Sequence, residues 1–335
     1  MGNRRLVRSS TVAGLTGGVV LTFATSPWPS AFVIRQLLER TSPARTLRAG
    51  STAGVTSITD EQYLPGQPDA RLDVYFPTST GPEDRLPAVV WVHGGAWISG
   101  RKEDAAPYFE MLALEGYAVI AVEYSRAPRT KYPTPLRQIN DAIAYACRHA
   151  DRFHIDDRQI LVAGDSAGAQ MSSQIAALVT NPDYASQLGI IPSLQPEQLR
   201  GVILFCGVYD ANSTARHDQP LPDAVLQLFV ASVLWAYTGS RDRNSATLRQ
   251  MSTIDHATRD FPPTFISGGN ADPFTDAHSR PFATRLADLG VDVTTRFYPR
   301  DHSPALGHEY QFRTESAAAQ AALQSLLGFI ERITE

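Results

Sequence analysis

From about residue 55 onward the chain alternates between two hydrophobic rhythms. Short strand-like runs stand at "GVTSITDEQY" near Val55, "RLDVYF" at Arg71, "AVVWVHG" at Ala88, "AVIAVEY" at Ala118, "QILVAGD" at Gln159, "GVILFCG" at Gly201, "PTFISGG" at Pro263 and "VTTRFY" at Val293. The first two alternate apolar with polar residues, as half-exposed antiparallel strands do. The later runs are almost continuously apolar, as expected of strands covered on both faces of a parallel sheet. Between them lie stretches with helical spacing: "DAAPYFEMLALEG" from Asp104, "PLRQINDAIAYACRHA" from Pro135, "SAGAQMSSQIAALVT" from Ser166, "SRPFATRLADLG" from Ser279 and "ESAAAQAALQSLLGFIERI" from Glu315. Strand and helix alternating through short links predict a doubly wound α/β domain, an eight-stranded mostly parallel sheet with helices on both faces.

Two segments break the alternation and set the domain organisation. Residues 1–50 precede it, and an α/β domain fills 51–335 with an insertion near 208–258. That insertion follows a strand and is too long for a plain crossover, and its segment "PDAVLQLFVASVLWAY" is apolar enough to lie over something. Ligands of α/β sheets bind at the carboxyl ends of strands, so the insertion reads as a helical cap over a pocket; the alternative is a lobe packed away from it. In the first segment Arg4, Arg5 and Arg8 precede an uncharged stretch from Ser9 to Ile34. A basic start followed by an apolar stretch suits a secretory signal or a membrane anchor, and favours export or membrane association over a cytoplasmic location. Gly, Ser and Thr dilute the stretch, and Pro27 and Pro29 would break a spanning helix. A signal, an anchor and a part of the cap folded onto the body all stay open.

Composition narrows the partners. The 335 residues carry a formal net charge of −4 and no run of Lys or Arg after residue 8, so there is no basic field for a phosphate backbone and nucleic acid is excluded as a partner. Cys147 and Cys206 sit in apolar surroundings without CxxC spacing and read as buried free thiols, a disulfide between them staying open.

The chemistry begins at "VAGDSAGAQ". Gly164-Asp165-Ser166-Ala167-Gly168 is G-x-S-x-G between a strand and a helix, the context of a nucleophile elbow. Small residues suit a turn this tight, and Ser166 is left beside a helix amino terminus whose N–H groups stabilise negative charge. In "VWVHGGAW", Gly94 and Gly95 after an apolar strand let backbone N–H groups face a developing oxyanion, together with that of Ala167. His93 reads as a residue that fixes this loop rather than as a proton shuttle. A serine nucleophile needs a base and an orienting acid, in the order Ser, Asp or Glu, His. Asp272 in "NADPFTD" lies just past a strand end, with Asp276 as competitor. The last strand is followed by "PRDHSPALGHEYQF", which offers His308 as the base and His302 as the alternative. His149, His154 and His217 have no metal-ligand spacing, and no metal is expected.

Taken together, "HGGAW", "GDSAGA", "NADPFTD" and "GHEYQF" resemble the α/β-hydrolase esterases and lipases of the hormone-sensitive-lipase-like group over roughly residues 55–333. The resemblance implies an α/β-hydrolase fold, no cofactor, and an acyl-serine mechanism on carboxylic esters of short to medium acyl chain. It also implies Ser166, Asp272 and His308 as the triad and Gly94, Gly95 and Ala167 as oxyanion donors. The chain departs from the pattern where Ala96 replaces a third glycine, where Ala169 follows the elbow, and where "GHEYQF" replaces His-Gly-Phe. "VEYSRAP" is similar to the Tyr-Arg-Ala-Pro stretch of that group. An amidase or peptidase on the same machinery, a lipid-acting membrane-associated lipase and a non-catalytic binding protein are the competing functions.

Overall fold

The computed structural model describes residues 25–47, 53–216 and 224–335. Arg4, Arg5, Arg8, the uncharged stretch as far as residue 24, and His217 lie outside the described residues. All eight expected strands form: β1 (Val55–Gln62), β2 (Arg71–Pro77), β3 (Leu86–Val92), β4 (Ala118–Val122), β5 (Ile155–Asp165), β6 (Leu199–Phe205), β7 (Thr264–Gly268) and β8 (Val293–Phe297). They make one sheet in the order β1-β2-β4-β3-β5-β6-β7-β8. β1–β2 and β2–β4 are antiparallel and every later pairing is parallel, as expected, but β2 is not half-exposed: it lies between β1 and β4 and is buried on both faces from Leu72 to Phe76. The chain leaves β3 for β4 on one side and returns past it to β5 on the other. The carboxyl ends of β3 and β5 therefore flank a reversal of strand order, where α/β sheets form their crevice.

The principal helices are α1 (Trp28–Thr41), α2 (Ala106–Leu114), α3 (Thr134–Arg148), α4 (Ala167–Thr180), α5 (Ala211–Arg216), α6 (Ala224–Thr238), α7 (Ala246–Met251), α8 (Arg280–Asp288) and α9 (Ala317–Thr334). Successive strand residues point to opposite faces, and they sort into two cores. Val90, Val92, Ile120 and Val122 share one core with Ile139 of α3, Ile175 of α4 and Leu286 of α8. Val89, Trp91, Val119 and Ala121 share the other with Phe109 of α2 and Phe329 of α9. Cys206 is buried as expected, Cys147 is only half-buried, and both are free thiols. Cys147 departs from the expectation because α3 lays its side chain at the edge of the core rather than in it.

The two segments outside the alternation meet above the sheet. α1 packs against α6, and both contribute to the cavity over Ser166. α1 turns Ala31, Ile34 and Leu38 toward the body. Its Arg35 Nε donates to the Ile98 carbonyl (2.6 Å) and Nη2 to that of Ala127 (3.0 Å). The part of the amino-terminal stretch from Trp28 on is thus folded onto the body. Among the described residues no helix is long and apolar enough to cross a membrane.

Candidate active site

The turn from β5 into α4 has the strained geometry of an elbow. Ser166 has φ 51° and ψ −115°, a region costly for a residue with a Cβ, and its N–H is held by the Phe205 carbonyl at 2.7 Å. The glycines around it are required by contact: a Cβ on Gly164 would come within 2.5 Å of the Gly168 backbone, and one on Gly168 would fall on the Val92 carbonyl oxygen. Such strain persists only where the surroundings over-determine it, and here β3 and β6 do so from both sides.

His308 bridges the serine and the acid. Its Nε2 is 2.9 Å from Ser166 Oγ and its Nδ1 is 3.0 Å from Asp272 Oδ2. The other Asp272 oxygen accepts from the Phe274 N–H at 3.0 Å, so the carboxylate is fixed at both ends. The two competitors are placed elsewhere. Asp276 is half-exposed and pairs with Arg280 (3.0 Å) and Arg300 (2.9 Å). His302 packs at a tilt against Tyr298, and its carbonyl accepts from Asn270, whose side chain also holds the Leu306 N–H and so shapes the loop that delivers His308. Burial disfavours the imidazolium of His308, while negative charge from Cys206, when ionised, and from Asp272 favours it; the net displacement is well upward from the ordinary histidine value. Burial lifts the Cys206 thiol to about 11, so near neutral pH the sulfur is uncharged and Asp272 supplies the field.

One expected donor is already engaged. The Gly94 N–H donates to Asp165 Oδ2 at 2.8 Å, and a Cβ on Gly94 would strike that same oxygen, so Gly94 leaves the anticipated donor set. The next two residues keep their N–H groups free. Gly95 and Ala96 have positive φ values of 107° and 52°, and among the described residues no acceptor takes either N–H. The only sequence signal for Ala96 is its small size after a glycine pair. Ala167 stands at the first position of α4, where N–H groups have no partner within the helix. His93 fixes the loop as expected: Nδ1 meets the Gly94 carbonyl at 2.8 Å, and the ring stacks on Tyr124, whose hydroxyl donates to the His93 carbonyl. Burial pushes its pKa down to about 3, so it stays neutral. Tyr124 and Arg126 of "VEYSRAP" buttress this loop, Arg126 through the Gly100 carbonyl and Glu123.

A cavity of about 460 Å3 opens over Ser166, walled by Leu226, Phe229, Val233 and Leu234 of α6 and by Leu38 of α1, with Arg45 and Glu309 also in its lining. The group of metal-type side chains found among the described residues, Cys206, Asp272 and His308, coincides with the serine-linked pair itself.

The BD-FAE family model matches residues 72–286, more than half of the chain. The chain belongs to the BD-FAE family. This BD-FAE protein has the α/β-hydrolase fold. It is 28% identical to Esterase LipQ of Mycobacterium tuberculosis over 241 residues, covering 69% of this chain and 53% of LipQ, so it spans about half the length of that relative. With Esterase LipC of the same organism it shares 27% identity, covering 84% of this chain and 67% of LipC. Among solved structures it superposes on esterase B from Lactobacillus rhamnosis with a TM-score of 0.78 at 20% identity, covering 92% of this chain and 95% of that one. The family match includes Ser166 and Asp272 and ends before His308.

Proposed function

We propose that the protein hydrolyses carboxylic esters of short to medium acyl chain through an acyl-enzyme on Ser166, with His308 as general base and acid and Asp272 as the orienting carboxylate. The observation that carries this reading is the contact of His308 with both Ser166 and Asp272, 2.9 and 3.0 Å away. His308 Nε2 takes the proton of Ser166 Oγ as the oxygen attacks the ester carbonyl, and Asp272 stabilises the imidazolium. The N–H groups of Gly95, Ala96 and Ala167 receive the negative charge on the carbonyl oxygen. The alcohol leaves with the proton from His308; water, deprotonated by the same imidazole, releases the acid and frees Ser166. The cavity walls of α6 and α1 receive the acyl chain, each buried methylene contributing about 0.8 kcal/mol, or roughly fourfold in kcat/KM. The test is fluorophosphonate labelling with a p-nitrophenyl ester series from C2 to C12, and the matching anilides. Labelling at Ser166 with rising and then falling ester hydrolysis supports the reading. Activity intact in Ser166→Ala overturns it, and anilide turnover equal to ester turnover favours an amidase.

A second reading concerns where the ester lies. Trp28, Phe32, Val33 and Leu37 on α1 and Val225 and Leu228 on α6 are all more than half exposed. Val33, Leu37, Val225 and Leu228 border an open groove of about 610 Å3 between the two helices. An apolar face this large on helices that cover the cavity favours a lipid surface as its occupant. The uncharged stretch that runs into α1, with Arg4, Arg5 and Arg8 before it, suits the same partner. Sedimentation with phosphatidylglycerol vesicles tests this: Phe32→Glu with Leu228→Glu abolishes binding and leaves hydrolysis of soluble esters unchanged. Binding that survives the pair overturns it, and a dimer that the pair dissociates assigns the face to a second copy.

A further inference from the structure

Behind the nucleophile lies a pair of acids that the mechanism does not use. Asp165, the elbow residue before Ser166, is 3% exposed, and Glu309, the residue after His308, is 6% exposed. Both line the cavity over Ser166, and their carboxyls lie near enough for each to raise or lower the proton affinity of the other. Asp165 also accepts from Trp91 Nε1 at 2.9 Å and from the Gly94 N–H at 2.8 Å. Glu309 Oε1 is 3.9 Å from His308 Nε2. Glu309 holds φ 55°, a left-handed conformation that glycine accommodates at least cost, so this position carries both backbone strain and a buried acid. Two such costs at the residue next to the proposed base are explained together if the carboxyl itself is needed there.

We infer that Asp165 and Glu309 share a single proton, and that Glu309 is a positioning residue which ties the His308 loop to the elbow and, through Asp165, to the Gly94 loop that presents the oxyanion donors. Two buried carboxyls side by side resist ionising together, because the second charge is repelled by the first with no solvent to screen it. With one proton the pair is a hydrogen-bonded unit of charge −1, and three chain segments of the site are joined through it. With none, a second anion sits beside His308 and Ser166, where it strengthens the grip of the imidazole on its proton and opposes the oxyanion. Burial raises the proton affinity of both acids. The other charges in reach are His308, which favours ionised Glu309, and Asp272 and Asp104, which oppose it. Arg45, which also lines the cavity, is paired with Asp104 at 2.8 Å, and Arg313 is exposed.

The inference rests on the serine mechanism proposed above, and its test separates the two. Glu309→Gly suits the backbone and deletes the carboxyl, whereas Glu309→Gln keeps the hydrogen bond and the charge of the singly protonated pair. Both are assayed for kcat, KM and fluorophosphonate labelling from pH 5 to 10, beside wild type and Ser166→Ala. Expected is a loss of about a hundredfold in kcat for Glu309→Gly, the scale of a small misplacement of catalytic groups, with KM little changed. Glu309→Gln retains kcat near wild type at pH 7 and lacks the alkaline decline of the wild type. Because the native pair holds its proton more tightly than the unfolded chain does, wild-type stability falls as pH rises above the ordinary carboxyl range, and Tm falls less steeply in Glu309→Gln. Wild-type kcat in Glu309→Gly, equal damage in both variants, or an alkaline decline unchanged in Glu309→Gln overturns the inference. An active, unlabelled enzyme with Ser166→Ala overturns the serine mechanism instead.

Discussion

Asp272→Asn isolates the contribution of the orienting acid because the structure dictates which way the amide must face. One oxygen of Asp272 accepts from the Phe274 N–H at 3.0 Å and the other meets His308 Nδ1 at 3.0 Å. Asparagine has a single acceptor oxygen. If that oxygen keeps the backbone bond, the NH2 group faces Nδ1, and His308 must leave Nδ1 bare and carry its proton on Nε2. Nε2 then donates toward Ser166 Oγ and no longer accepts its proton. The opposite orientation abandons the Phe274 N–H and sets an NH2 against it. A wrong tautomer with the geometry retained costs about 10,000-fold in kcat, and four decades at about 1.36 kcal/mol each come to roughly 5.4 kcal/mol of transition-state stabilisation. Steady-state kinetics on p-nitrophenyl butyrate, with fluorophosphonate labelling as a second readout, measure this directly: both slow together and KM changes little. Asp276→Asn is the control, since it removes only exposed ion pairs worth about 0–1 kcal/mol of stability. A loss below tenfold at Asp272, or an equal loss at Asp276, refutes the assignment.

Other outcomes follow from the same geometry. His308→Ala abolishes labelling of Ser166, whereas His302→Ala, whose ring lies on Tyr298 and away from the serine, keeps kcat near wild type. The acid limb of kcat/KM lies above the ordinary histidine value of about 6.5, because the net shift of His308 is upward and only the neutral imidazole accepts a proton; a limb near pH 4 contradicts this. In stability the same shift has the opposite sense, its contribution being complete in acid and lost as pH rises through the folded value. Gly168→Ala drives a Cβ onto the Val92 carbonyl and lowers stability by about 2 kcal/mol or more, read in a urea titration.

The sheet was legible because burial on one face or both leaves a direct trace in the spacing of apolar residues. The meeting of Ser166, Asp272 and His308 was legible because each follows a strand, and the chain order matches that expected of the fold. Gly94 was misjudged for a reason that no local pattern carries: its N–H is claimed by the side chain of Asp165, distant in sequence and brought near by the pairing of β3 with β5. Glu309 was visible only as a departure from His-Gly-Phe, and its burial against Asp165 depends on packing between loops. The placement of α1 was likewise hidden, because a helix with apolar residues on opposite sides gives no indication of which side meets the body.

Arg35 gives the molecule a mechanical property. A single guanidinium grips the carbonyl of Ile98, a few residues beyond the donors of the Gly94 loop, and that of Ala127 in the stretch beneath it, while its helix roofs the acyl chamber. Roof and anion cradle are therefore fastened by one bolt. The helix cannot part from the body without giving up both bonds, so the two segments are held as one mechanical unit.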